Sequence, residues 1–231
     1  MFKKVGNLSL VDLIYNEVKE KIIENELKPN EKLDIDFLSQ SLGVSRTPVI
    51  NALKSLEKDG YVIINPRSSS YVRNLTKEET EAIFDFRAVL EEAVVKKVID
   101  ILSEERLICF KNNLSDFLSE TVYVNDLKIS VNKFFDIETE FHEYMIKSCP
   151  AIISGEIMNL MDLSKRIRRL HMLYKLENSN NPVFEYEVIL HKNLADALIS
   201  KNTNESVKLI NKDILGTKNE IIKHFDIINN Y

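Results

Sequence analysis

The stretch that decides the fold is Ser45 to Gly60, SRTPVINALKSLEKDG. Ser45 is a good helix N-cap, Pro48 falls in the first turn where a missing N–H costs little, and Gly60 is placed to close the helix as C′. Between them Val49, Leu53 and Leu56 recur at i, i+4 and i+7 and form one apolar stripe. Arg46, Thr47, Ile50, Asn51, Lys54 and Lys58 are left to face outward or flank that stripe. The outer face is short, polar and mostly basic.

Upstream, Asp34 is placed to cap a shorter helix carrying Phe37, Leu38 and Leu42, and Gly43 breaks it just before Ser45. Two helices joined by a tight glycine-containing turn predict a helix-turn-helix. Downstream, Tyr61 to Ile64 and Ser70 to Val72 are short β-prone runs separated by Pro66, Arg67 and serines, which predicts a hairpin wing. Such a unit sets the start of its second helix in the major groove of DNA, where Arg and Thr reach base edges and phosphates.

The run from Leu33 to Val72, with SLGVSRTPV at its centre and Asp59-Gly60 behind it, resembles the N-terminal domain of the GntR family of bacterial transcription regulators. The resemblance implies DNA contacts at Arg46 and Thr47 and, in the wing, at Arg67, Ser68 and Ser69; Asn51 and Lys54 join the candidates from the outer face of the same helix. Two departures stand out. Ile50 and Asn51 occupy positions where the family usually has Arg and Glu, and Ser68 and Ser69 occupy those of an Arg-Gly pair.

A chain of 231 residues can bury two cores, and the pattern divides it into a winged helix-turn-helix over 1–75 and an all-helical domain over 76–231. The expected fold class is mainly α. Hydrophobic content of 44% with 29% charged residues is ordinary for a globular protein. No apolar run approaches a membrane span, and MFKKVGNLSLVDL lacks the apolar core of a signal peptide, so a cytoplasmic location with no membrane partner is expected. Cys109 and Cys149 have no metal-like spacing and are expected to be small buried hydrophobes. The net charge of -5 is unevenly spread: residues 1–75 carry 11 Lys and Arg against 10 Asp and Glu, and the acid lies in the remainder. A near-neutral reader of this kind depends on dimerisation for affinity.

The first helix is expected from Leu10 to Asn25, with Leu10, Ile14, Val18 and Ile22 at helical spacing, followed by a turn to Asn30. Asn25 and Asn30 both tolerate left-handed geometry. After the linker Asn74-Leu75-Thr76, a helix carries Ile83, Phe84, Phe86, Val89, Leu90 and Val94. Further helices are expected from Ser103, then over about Val131 to Lys147, Ile152 to Lys175, Val183 to Ser200 and Glu205 to Ile228. The segments IFDFRAVLEE, EFHEYMIKS and LHKNLADALISKN resemble the FCD ligand-binding domain of the FadR-like branch of the same family.

Within DIETEFHEYM, Glu138 and His142 are four apart, so a helix sets both on one face where they can converge on one ion. The FCD resemblance implies a third ligand at His191 and a fourth 22 residues on, at Asp213. Family members usually have Asp at the first of these positions and His at the last. The two carboxylates shift the preference toward harder ions such as Mn²⁺, with Zn²⁺ and Ni²⁺ remaining open. The resemblance also implies a pocket above the ion for a small carboxylate effector. Arg87, in RAVLE, and Arg166, beside Arg168 and Arg169, are the candidate clamps, because Arg grips carboxylates bidentately. His171 and His224 fit no ligand position.

The function expected from these features is a homodimeric regulator, a repressor that leaves a pseudo-palindromic operator when a small organic acid binds. Two alternatives are weighed against it: a metal-dependent hydrolytic enzyme joined to a DNA-binding domain, and a constitutive DNA-binding protein with an inactive sensor. No nucleophile–base pair or phosphate loop supports the enzyme.

Overall fold

A computed structural model describes residues 9–65, 69–121, 127–178 and 183–230. The chain divides into two compact units, Met1–Thr76 and Lys77–Tyr231.

In the first unit α1 spans Leu10–Ile23. The Ser9 side chain accepts the Asp12 N–H, and Asp12 accepts the Ser9 N–H at 2.9 Å, a reciprocal capping box. Ile14, Val18 and Ile22 are buried, whereas Leu10 stays exposed at the first position. The turn that follows bends at Asn25 and Asn30, both in the left-handed region with φ of 62° and 64°. Helix α2, Ile35–Leu42, is capped by Asp34, whose Oδ1 accepts the N–H groups of Asp36 and Phe37 at 2.9 Å each, and it ends on Gly43 at φ 66°. Phe37 lies out in solvent.

Helix α3, Arg46–Lys58, buries Val49, Ala52, Leu53 and Leu56. Ser45 has the extended backbone of an N-cap, yet its side chain makes no capping bond. Pro48 occupies N3 and so leaves the Thr47 N–H as the one remaining donor an N-cap oxygen could accept from. At the other end the Tyr61 N–H donates to the Leu56 carbonyl at 2.8 Å and the Gly60 N–H to that of Glu57 at 3.1 Å. With Gly60 at φ 89° this is a Schellman closure.

The wing strands are β2, Val62–Ile64, and β3, Ser70–Val72, paired antiparallel with Ile63 opposite Tyr71. The hairpin turns out to be part of a three-stranded sheet. Strand β1, Lys32–Leu33, pairs with the other side of β3, giving the order β1-β3-β2. Two residues are too few to show a period-2 pattern, which is why this strand leaves no trace in the sequence.

Among its described residues the second unit forms helices joined by short turns: α4 Lys77–Val98, α5 Glu104–Thr121, α6 Leu127–Lys147, α7 Ala151–Asn178, α8 Val183–Ile199, α9 Thr203–Lys223 and α10 Phe225–Asn229. Helix α4 packs on α9, α7 and α6, while α5 packs on α8 and α6. Phe110 and Phe141 stack at 4.0 Å, and Phe117, Phe134 and Phe184 interlock beside them.

Three expectations are corrected here. On α4, Phe86 and Val89 face solvent while Arg87 and Glu91 are buried, so the helix is rotated relative to its apolar reading. The final helix is two helices, broken at His224, whose φ of -118° leaves the α region. Cys109 is exposed and Cys149 half-buried, so neither is a core thiol.

Leu56 is fully buried beneath the helix whose outer face is expected to meet DNA. Leu56→Ala is expected to destabilise the N-terminal unit by about 2–5 kcal/mol, read as a lower urea midpoint for that unit.

Candidate functional site

Helix α6 carries Glu138 and His142 one turn apart, α8 supplies His191 and α9 supplies Asp213, and all four are buried. One ligand atom from each lies within 4.8 Å of the others. His142 Nε2 is 3.4 Å from Glu138 Oε1 and 3.5 Å from Asp213 Oδ2, and His191 Nε2 is 3.8 Å from Asp213 Oδ1. Tetrahedral coordination with bonds of about 2.1 Å has edges of about 3.4 Å, so these separations suit a single small cation. His142 Nε2, His191 Nε2 and Glu138 Oε2 are buried without a hydrogen-bond partner. The donor set fits a divalent ion.

A second layer fixes the two rings. The Nδ1 of His191 lies 2.8 Å from the Glu187 carbonyl, which it reaches as a donor, leaving Nε2 as the acceptor nitrogen facing the cluster. His142 Nδ1 lies 2.6 Å from Glu91 Oε2. Glu91 Oε1 in turn accepts from Arg87 Nε at 2.9 Å, and Arg87 Nη1 donates to Ser164 Oγ at 2.9 Å. A continuous chain of polar contacts therefore runs from α7 through α4 to the ring of His142. The sequence analysis passed over Glu91 and Ser164. Arg87 and Glu91 are, however, an i,i+4 pair in line with the buried Phe84 and Ala88, a spacing that could have revealed a buried ion pair.

The candidate clamps are placed as follows. Arg87 is fully buried and committed to Glu91 and Ser164. Arg166 points toward α10, with its guanidinium 3.4 Å from Asn229 Oδ1. The guanidinium at the cluster belongs to Arg168, which contacts Glu138 and stacks over Phe135 with 5.3 Å to the ring centroid. A helix turns about 200° in two residues, so Arg166 and Arg168 leave opposite sides of α7. Arg168 Nε and Nη2 are buried without a hydrogen-bond partner.

Beside the cluster is a cavity of about 20 Å³ bounded by Glu138, Arg168, His191 and Asp213. His171, Glu187, Asp213 and Thr217 are shared with a larger cleft of about 760 Å³ between α7, α8 and α9. His171 and His224 line that cleft, and burial pushes the His171 imidazole down to about 3, so it is neutral.

Electrostatics in the cluster are set by charge compensation. Burial would depress the His142 imidazole, but Glu91 and Glu138 outweigh it and raise it to about 10. Burial likewise opposes ionisation of Glu91, which Arg87 and His142 bring down to about 2. Asp213 is held well below the carboxylate range, against burial, by His191 and His142. In the ion-free protein an imidazolium thus joins the guanidiniums of Arg87 and Arg168 among these carboxylates.

On the first unit Arg46, Thr47, Asn51 and Lys54 are exposed on α3, and Arg46 Nε pairs with Asp36 Oδ1 at 3.1 Å. The Ser69 carbonyl accepts the Asn65 N–H at 3.1 Å at the mouth of the wing, while Arg67 and Ser68 lie outside the described residues.

Comparison with known proteins bears on both units. Residues 10–72 match the model of the bacterial regulatory proteins, gntR family. An HTH-type transcriptional regulator of Bacillus subtilis, YdhC, is 30% identical over 57% of this chain and 57% of its own length. The Escherichia coli HTH-type transcriptional repressor RspR is 22% identical over 67% of this chain and 66% of its own. The matches thus span under two thirds of these relatives. In structure, E. coli McbR/YncC superposes with a TM-score of 0.71 over 97% of this chain and 98% of that one at 20% identity. A transcriptional regulator from Rhodococcus gives 0.72 over 92% and 97% at 16% identity. At these identities the likeness speaks for the fold across both units.

An ion bound by Nε2 of His142 must displace its proton. Metal uptake near pH 7 is expected to release protons, seen by calorimetry as a heat that changes with the ionisation enthalpy of the buffer. Without metal, the stability due to the raised His142 is fully present below about pH 6.5 and lost as the pH rises through about 10. The melting temperature of chelated protein should fall over that interval.

Proposed function

We propose, on the footing that residues 10–72 of this chain are a GntR-family DNA-binding domain, that the protein is a transcription regulator of the FadR-like branch, a repressor whose hold on its operator answers to a small carboxylate. The observation that carries this reading is the buried Glu138, His142, His191 and Asp213 cluster in the helical unit, with Arg168 at its edge. A cluster of buried acids and imidazoles is costly to maintain and adds little to a fold that packed apolar residues could stabilise as well. It is suited to holding a Mn²⁺, Zn²⁺ or Ni²⁺ ion through those four side chains. When bound, the ion supplies a positive anchor for one carboxylate oxygen. Arg168, with two N–H groups uncommitted, is placed to take the other oxygen, a role for which neither Arg87 nor Arg166 is free or near.

Dimerisation accounts for the outward apolar stripe on α4. Ala82, Phe86, Val89 and Ala93 follow one another at spacings of four, three and four, all exposed. That is the seam a second helix packs against, and a two-fold pair of chains would read a pseudo-palindromic operator.

A second reading, a constitutive DNA-binding protein with an inactive sensor, draws on one specific contact. Arg168 already neutralises Glu138, and a protonated His142 already occupies the cationic role. An enzyme finds no such support, and the relatives above carry the names of regulators.

Adding Mn²⁺, Zn²⁺ or Ni²⁺ to chelated protein is expected to raise its melting temperature, because the ion binds only the folded bundle. His142→Ala and His191→Ala should each remove that increment while leaving operator binding intact, since the reading helix lies in the other unit. Equal melting with and without every metal would leave the inactive-sensor reading standing. Phe86→Glu is expected to convert a dimer to a monomer by light scattering and to weaken operator binding; a variant that remains dimeric would place the interface elsewhere.

A further inference from the structure

Resting on the DNA-binding reading above, we infer that Thr47, Ile50 and Asn51 on α3 read A·T base pairs beside whatever Arg46 contacts. At about 100° per residue, Thr47, Ile50, Asn51, Lys54 and Lys58 fall within an arc of about 100° on α3. The buried Val49, Ala52, Leu53 and Leu56 are centred on the opposite side, so that arc is the face presented outward. Thr47, Asn51, Lys54 and Lys58 are exposed and Ile50 is half-buried.

The chemistry of that face is narrow. Guanine is read in the major groove by Arg or Lys on O6 and N7, adenine by Asn or Gln on N6 and N7, and thymine by apolar contact with its C5 methyl. A helix of this motif reads bases with its N-terminal residues. Beside Arg46, those here are Thr47, Ile50 and Asn51, two methyl-bearing side chains and one amide. The cations on the arc, Lys54 and Lys58, come two and three turns into the helix, where side chains meet the phosphate backbone. Arg46 points about 100° away from Thr47, and its ion pair with Asp36 is solvent-exposed, so its guanidinium stays available for a neighbouring base or phosphate. On the arc itself the first two turns therefore offer an adenine reader and two thymine-methyl contacts, and the donor fork for guanine lies outside it, on Arg46.

The test is selection of a random duplex DNA library on the full-length protein, followed by mobility shift at fixed salt. The enriched half-site should hold A·T pairs at the positions facing Thr47, Ile50 and Asn51. Replacing the contacted thymine by deoxyuridine, which deletes only the methyl group, should weaken binding several-fold. Ile50→Ala should bind the thymine and deoxyuridine sites alike. Asn51→Ala should lose roughly tenfold of its discrimination at one adenine. Ile50→Arg should shift the selected base toward guanine. A wild-type half-site with guanine at those positions would overturn the inference, as would a deoxyuridine effect of the same size in wild type and Ile50→Ala. If no sequence is enriched at all, the DNA-binding reading falls and this one with it.

Discussion

The helical unit depends on a single electrostatic constraint: carboxylates can be buried together only if positive charge is buried with them. Glu91, Glu138 and Asp213 are all nearly inaccessible to water. Each would be strongly unfavourable alone. Arg87, Arg168 and His142 meet them at hydrogen-bonding or near-contact distances, and that compensation holds their ionised forms in place. The arrangement draws on α4, α6, α7, α8 and α9 at once. Helix rotation is therefore specified by charge as well as by shape, and this explains why α4 turns Phe86 outward to bring Arg87 in.

Much of the N-terminal unit was legible because its signals are local. Asp34, Gly43 and Gly60 act through backbone geometry within a few residues, and the stripe Val49, Leu53, Leu56 has a single plausible inside. The capping bond expected of the Ser45 side chain is the exception, since only its backbone takes the N-cap conformation. Strand β1 was not legible, since its only pattern is its partner.

In the bundle the metal-type pair Glu138 and His142 could be read from spacing, and His191 and Asp213 came from the family likeness. The polar layer behind them was not legible. Whether Arg87, Arg166 or Arg168 faces the cluster depends on the rotation of α4 and α7, which a stripe of mixed apolar residues on every side leaves open. The break at His224 was hidden for the same reason, because apolar residues continue in helical spacing across it.

Helix α4 has 22 residues and two unlike faces. Arg87 and Glu91 tie its inner edge to the His142 ring, and Phe86 and Val89, immediate chain neighbours of those residues, form its outer edge. Both edges share one continuous backbone, and any rotation of α4 that moved Arg87 or Glu91 would turn Phe86 and Val89 with it.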